Sequence, residues 1–189
     1  VIDIVAIEEG LYDAWNNYLA DKLGSAPQIL LANQDIPEDQ LESERVMYNV
    51  STPYETNTQT VESREVVPST DDNFKNDVIY HYLLAPRITI SVNVYSDSQG
   101  DARKIALQLR EWFEIDKLGN RFFKENHNGV VKQNTLTEVD DRTTMVETSY
   151  QKRFSFDCDV ELEEEISVRE KTIEVIKLDK NDHIETIDV

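Results

Sequence analysis

One cysteine, five glycines, five prolines and three histidines are all that this chain of 189 residues contains of those types. The single thiol, Cys158, excludes an internal disulfide, so folding needs no oxidising compartment. His81, His127 and His183 stand in three separate segments without HxxxH or HExxH spacing, so a zinc centre has no clustered ligands. GxSxG, the P-loop and GxGxxG are absent, which removes the common signatures of serine hydrolases, nucleotide hydrolases and dinucleotide enzymes. Positive charge is scarce: 19 Lys and Arg against 38 Asp and Glu give a net charge of −19. The basic residues are scattered, so no basic face for nucleic acid is legible, and the overall field repels phosphates. Such a balance is that of a solvated surface, or of an acidic wall past which a polyanion slides without sticking. No apolar run approaches membrane-spanning length. Residues 1–6 are apolar but few and without basic flanks, so they are not read as a signal peptide. Synthesis in a cytoplasm is the expectation.

What is present is organised around residues 87–115. Ile88, Ile90, Val92 and Val94 alternate with Arg87, Thr89, Ser91 and Asn93, the period of a strand with one wet face. After a break at 96–101 the period changes. Ala102, Ile105, Ala106, Leu109, Trp112 and Phe113 recur at helical spacing, opposite Arg103, Lys104, Gln108, Arg110 and Glu111. Ser96, Asp97 and Ser98 are each candidates for the helix N-cap. A half-buried strand feeding a half-buried helix begins an α/β layer.

On either side the chain reads as follows. Residues 3–23 predict a helix on Ile4, Ile7, Leu11, Trp15, Tyr18 and Leu19, stopped by Gly24. A short buried strand is expected within 26–32, a turn at 33–37, a loop at 38–44 and a second strand over 45–51 on Val46, Tyr48 and Val50. Residues 51–77 are polar, with Thr60-Val61 and Val66-Val67 as two short patches of a projecting hairpin. Strand character resumes over 78–84. Asp116, Lys117 and Leu118 read as a frayed helix end before Gly119, and a short helix is expected around Phe122 and Phe123. Residues 129–139 predict a weak strand in which Val131 and Leu136 are out of phase, with Asp140 and Asp141 in a loop. The longest strand is expected over 146–162, with Tyr150, Phe154, Phe156, Cys158, Val160 and Leu162 on one face. A late strand or arm follows on Ile166, Val168, Ile173, Val175, Ile176 and Leu178.

Candidates for chemistry are few. Cys158 sits on an apolar strand face, where a buried structural thiol outweighs a nucleophile. Asp157 and Asp159 share the opposite face; they fit a solvated surface better than a metal or acid–base pair. Trp15, Trp112, Phe113, Phe154 and Phe156 all fall on apolar faces and read as core rather than a base-stacking platform. Asp179, Asn181 and His183 lack the glycine and terminal glutamate of a calcium loop. Asn49-Val50-Ser51 is a chance glycosylation sequon. No catalytic residue, metal ligand or cofactor is predicted.

The order of the pieces carries more than any one of them. A helix leads to a strand ending in Leu31-Ala32-Asn33-Gln34-Asp35-Ile36-Pro37; a strand and polar hairpin follow; then comes the strand Arg87 to Tyr95 and the helix with Leu107-Gln108-Leu109-Arg110; last is the strand from Tyr150 to Val160. Over residues 3–165 this resembles the neck or tail-terminator family of tailed bacteriophages. The resemblance implies an α+β fold: a mixed, mostly antiparallel sheet packed by two main helices, with a projecting hairpin and a C-terminal extended arm. It implies a domain over 1–165, including the long loop 51–77, and an extension over 166–189. It implies a structural virion protein and no enzyme: a homohexameric ring that caps the tail tube and docks the head-completion or connector protein. For a contractile tail it would also meet the sheath. Genomic DNA would pass through the lumen without specific binding, and no membrane is involved. The interlocking parts would be the hairpin and arm, so Val61, Val66, Val67, Ile166, Val168, Ile173, Val175 and Ile176 are the expected subunit or partner contacts. Competing readings are another ring of the particle (head-completion or baseplate), a metal-dependent enzyme at Asp157 and Asp159, and a monomeric adaptor.

Overall fold

A computed structural model describes residues 2–32, 34–55, 60–72, 74–146, 149–171, 175–180 and 183–188. It contains, in chain order, α1 (Ile4–Leu23), β1 (Gln28–Leu31), β2 (Arg45–Val50), β3 (Tyr54–Glu55), β4 (Thr60–Pro68), β5 (Asn76–Leu84), β6 (Pro86–Ser96) and α2 (Gln99–Glu114). There follow α3 (Arg121–His127), β7 (Gly129–Val131), β8 (Asp140–Asp141), β9 (Thr144–Val146), β10 (Ser149–Leu162), β11 (Glu164–Lys171), β12 (Val175–Lys180) and β13 (His183–Asp188). The fold is α+β. The chain divides into two compact units, one of Val1–Thr56 with Ala85–Glu163, the other of Asn57–Leu84 with Glu164–Val189.

The larger unit is a sheet in the order β1-β2-β6-β10-β7, with β3 also on β6 and β8 and β9 on β10. β1 runs parallel to β2; the other pairs are antiparallel. β6 and β10 form the spine, in register from Ser96↔Lys152 to Arg87↔Glu161. Their period-two patterns place Ile88, Ile90, Val92 and Val94 beside Phe154, Phe156, Cys158, Val160 and Leu162 on one buried face. Two helices cover that face. α1 begins at Asp3, whose carboxylate accepts the Ala6 amide at 3.0 Å. It ends at Gly24, which takes the left-handed φ of +87° that a side chain would disfavour and donates its N–H to Ala20 O. Ile7, Leu11, Trp15 and Leu19 form its buried stripe. α2 buries the six residues its periodicity marked, Ala102 to Phe113. Its N-cap is Ser98, whose Oγ accepts the Asp101 N–H; Ser96 Oγ instead accepts the Ser98 N–H. Trp15 meets Tyr48, Trp112 and Phe113 edge-on, with ring centroids 5.2, 6.0 and 5.8 Å away. Each such contact adds roughly 0.5–1.5 kcal/mol beyond burial.

Three local expectations are corrected. The frayed end at 116–118 is a π-helical turn, Asp116–Asn120, that runs straight into α3. Gly119 permits it: a Cβ there would lie 2.9 Å from Phe113 Cα and Trp112 O. The weak strand over 129–139 is only β7, followed by a 3₁₀ turn at Gln133–Thr135. That turn resets the phase, so Val131 and Leu136 both reach the core. Asp140 and Asp141 are not loop but pair with β10 as β8.

The smaller unit holds a three-stranded antiparallel sheet, β11-β5-β4, and a separate β12–β13 hairpin. Val61 and Val66 are not in two short patches: β4 is one nine-residue strand, with a register shift between Val61 and Ser63. No helix lies among this unit's described residues.

Candidate assembly surface

Directly opposed residues of an antiparallel pair share a face, so the registers of β4, β5 and β11 sort their side chains into two sets. One set pairs Tyr80 with Val168, Tyr82 with Ile166 and Val78 with Val66. Tyr80 and Tyr82, two residues apart, lie ring to ring at 6.5 Å on this side. The face has an open apolar centre, bordered by Arg64 opposite Tyr80 and Glu170 opposite Val78: Val66 is 63% exposed, Ile166 41% and Val168 39%. Val, Ile and Tyr favour a pleated surface, which explains the strands; the exposure means that the surface lacks its covering layer.

The opposite face is polar and tied together. Arg169 donates to Asp77 Oδ2 at 2.8 Å and to Pro68 O at 2.7 Å. Lys171 reaches Asp71 at 2.5 Å and stands 5.0 Å from the Phe74 ring centroid. His81 Nδ1 lies 3.0 Å from Glu165 and 2.9 Å from Ser167 Oγ. Asp77 is buried, and the Ser69 hydroxyl, aided by Arg169, holds its carboxyl below the ordinary carboxylate value. These bonds hold β5 to β11 and to the 68–71 corner.

The eight contact residues expected from the sequence separate accordingly. Val66, Ile166 and Val168 come together on the apolar face. Val67 is one step away, opposite Asp77, and so belongs to the polar face. Val61 lies in β4 opposite Tyr82 in register, and Val175 and Ile176 lie in β12. Ile173 is outside the described residues. Tyr80 and Tyr82 were missed; the alternation Val78, Tyr80, Tyr82, Leu84 could have found them.

The other candidates have ordinary surroundings. Asp159 accepts from Thr89 Oγ1 at 2.7 Å and lies 3.8 Å from Arg87, while Thr137 Oγ1 accepts the Asp157 amide. Cys158 is buried, and burial together with the Asp159 charge pushes its thiol pKa well up, so it stays protonated. Trp15, Trp112, Phe113, Phe154 and Phe156 all lie in the core. No helix among the described residues is long and apolar enough to cross a membrane.

No curated protein matches the chain. Residues 9–188 match the model of the family described as phage neck terminator protein. That match runs through both units, from within α1 to the end of β13. A bare apolar sheet face on a chain without a catalytic signature suits a protein whose work is contact with others, and with nearly the whole length matched, the chain belongs to the phage neck terminator family and is a structural protein of the virion neck.

Proposed function

We propose that the protein closes into a homohexameric ring that caps the tail tube at full length and docks the head-completion or connector protein. DNA passes through its lumen. The observation that carries this reading is the open apolar face of Val66, Tyr80, Tyr82, Ile166 and Val168. Its flanking strands β4 and β11 are, among the described residues, the ends of their sheet and offer backbone edges to a neighbour. β12 and β13, within the arm that the sequence reading placed over 166–189, would then lie along an adjacent subunit or the tube. The net charge of −19 supports the lumen: an acidic wall does not trap phosphates. Carboxylates held apart around a ring also resist non-specific stacking, so specificity falls to the apolar faces.

The test is the mass of the purified protein across concentration by light scattering, with negative-stain images of the same sample, and then addition of purified tail tubes. The expected outcome is a ring with a central hole, in solution or on the tube end, and tubes that stop lengthening once capped. A monomer that leaves tube ends bare and growing would overturn the proposal.

A further inference from the structure

The larger unit carries a second open feature. A groove of about 540 Å³ runs between one flank of α1 and the outer strand β1. Its apolar lining includes Val5, Tyr12 and Leu31; its charged lining is Glu8, Glu9 and Asp13, and among the described residues no Lys or Arg borders it. Val5 is 60% exposed and Tyr12 45%, although the rest of the helix buries a regular stripe on Ile7, Leu11, Trp15 and Leu19. Tyr48 closes the floor, donating its hydroxyl to Glu8 O at 2.7 Å. Glu8 is partly desolvated there, and its pKa is raised by that burial.

The groove also opens on a sheet edge. β1 is the end strand, paired only with β2 among the described residues. The Gln28 and Ala32 amides donate inward to Glu44 O and Tyr48 O. Successive amides of a strand alternate in direction, so those of Ile29 and Leu31 point outward, away from β2. An unpaired edge beside an apolar trough is the arrangement that accepts an added strand: backbone bonds supply affinity, and alternate side chains enter the trough.

We propose that this groove binds an extended segment of a second protein, bearing lysine or arginine at alternate positions, as an added strand on β1. Charge selects the occupant. Three carboxylates with no counter-ion among the described residues favour cations, and the stem of a Lys or Arg can lie on Val5 and Tyr12 while its head reaches Glu9 or Asp13. A second copy of this chain is a poor source. It has two acidic residues for each basic one, and Arg169 and Lys171 of β11 are already paired with Asp77 and Asp71. The inference does not rest on ring formation.

The test uses the full chain and twelve-residue synthetic peptides in which valine alternates with lysine or with glutamate. Hydrogen exchange followed by mass spectrometry reads protection at residues 28–31, and titration reads affinity. The lysine peptide should protect 28–31; the glutamate peptide should not. Glu9→Lys with Asp13→Lys should weaken lysine-peptide binding by roughly tenfold or more, and Tyr12→Ala should weaken it as well. Binding that leaves 28–31 unprotected, or that is equal in the charge-reversed variant, would overturn the proposal. So would protection that grows with protein concentration in the absence of peptide, since the occupant would then be a second copy. Light scattering on the same samples keeps this result separate from the ring: the mass reports the ring, the protection reports the groove.

Discussion

β5 and β6 follow one another in the chain with one residue between them, and both alternate, yet their side chains meet different surroundings. On β6, Ile88, Ile90, Val92 and Val94 are fully buried under helices. On β5, Val78, Tyr80 and Tyr82 are half-buried, and their neighbours across the sheet, Val66, Ile166 and Val168, stand in the open. The strand period is the same in both, so the period does not decide burial. The second layer does: a helix face at the right height completes one sheet, and the other unit holds no helix among its described residues. The larger unit therefore covers one face of its own sheet. The smaller one leaves apolar surface whose burial would lower its free energy by about 25 cal/mol for each Å², and that gain is open to a partner.

The largest expected contrast is in stability. Trp15→Ala removes a fully buried ring with three edge-on aromatic neighbours and should cost about 3–5 kcal/mol in urea denaturation. Val66→Ala, at a residue mostly in solvent, should stay within about 0.5 kcal/mol. Equal losses would mean that the apolar sheet face is covered in the free protein, and the contrast between the units would break.

Next comes Gly119→Ala. The new methyl would press on the backbone at Phe113 and Trp112, which cannot swing aside as a side-chain tip can. A loss of about 1–3 kcal/mol is expected, read from the same denaturation curves. A neutral result would show that the π-helical turn yields freely and does not brace α2 against α3.

Much of the larger unit was legible because its signals are periodic. β6, α2 and β10 are runs in which each buried residue repeats at the spacing of its element, and propensity agrees with pattern. What stayed hidden depends on non-local geometry. Ser96, Asp97 and Ser98 are equivalent as cap residues in sequence; only the path of the chain makes Ser98 the acceptor. The turn at Gly119 exists because two helices approach closely there, and a lone glycine does not announce a neighbour. β4 is polar and shifts register, so its nine residues show no clean alternation. The candidate surface was half legible. Val66, Ile166 and Val168 could be marked as apolar residues in polar surroundings. Their meeting depends on pairing β5 with a strand more than eighty residues later, which no local pattern encodes. Val67 parts from Val66 for the same reason: one residue of register turns a strand side chain to the other face. Residues 166–189 lay outside the resemblance drawn on 3–165, whereas the family match runs on to residue 188.

A sharper form of the comparison separates contact from stability. Ile166→Lys with Val168→Lys places two charges on the apolar face of β11 without touching the Asp77–Arg169 and Asp71–Lys171 pairs opposite. The unfolding free energy read from urea curves should change by about 0.5 kcal/mol or less for each site, as at other exposed positions. Light scattering should report loss of the ring, because an unpaired charge in a closed interface is costly. Should the rings persist with both lysines, this face is not the subunit contact.

The smallest effect is in pH, and it distinguishes the units by the order in which they respond. His127, at the end of α3, lies 5.1 Å from Phe122 and 6.1 Å from Phe123 between ring centroids. Burial lowers its pKa from the ordinary 6.5, more than the distant Asp3 carboxylate raises it. Below about 6.5 the unfolded chain takes up this proton first. Its contribution is therefore complete above that value and declines as pH falls through the lower folded pKa. Asp77 in the smaller unit follows the same sign from a lower start. Its folded pKa is depressed from 3.8 by the Ser69 hydroxyl and Arg169, so its contribution is full above 3.8 and disappears only below it. Acid should thus loosen the histidine corner of the core before the polar face of the open sheet. Urea midpoints followed by tryptophan fluorescence should slope gently downward from pH 6.5 to 5, and His127→Gln should flatten that slope. Hydrogen exchange at β5 and β11 should carry the Asp77 response: Asp77→Asn should speed exchange at neutral pH, where the carboxylate's contribution is full, and remove the further rise that the wild-type chain shows below pH 3.8. A midpoint slope between pH 6.5 and 5 that survives His127→Gln would assign the early response to another group and remove the proposed order.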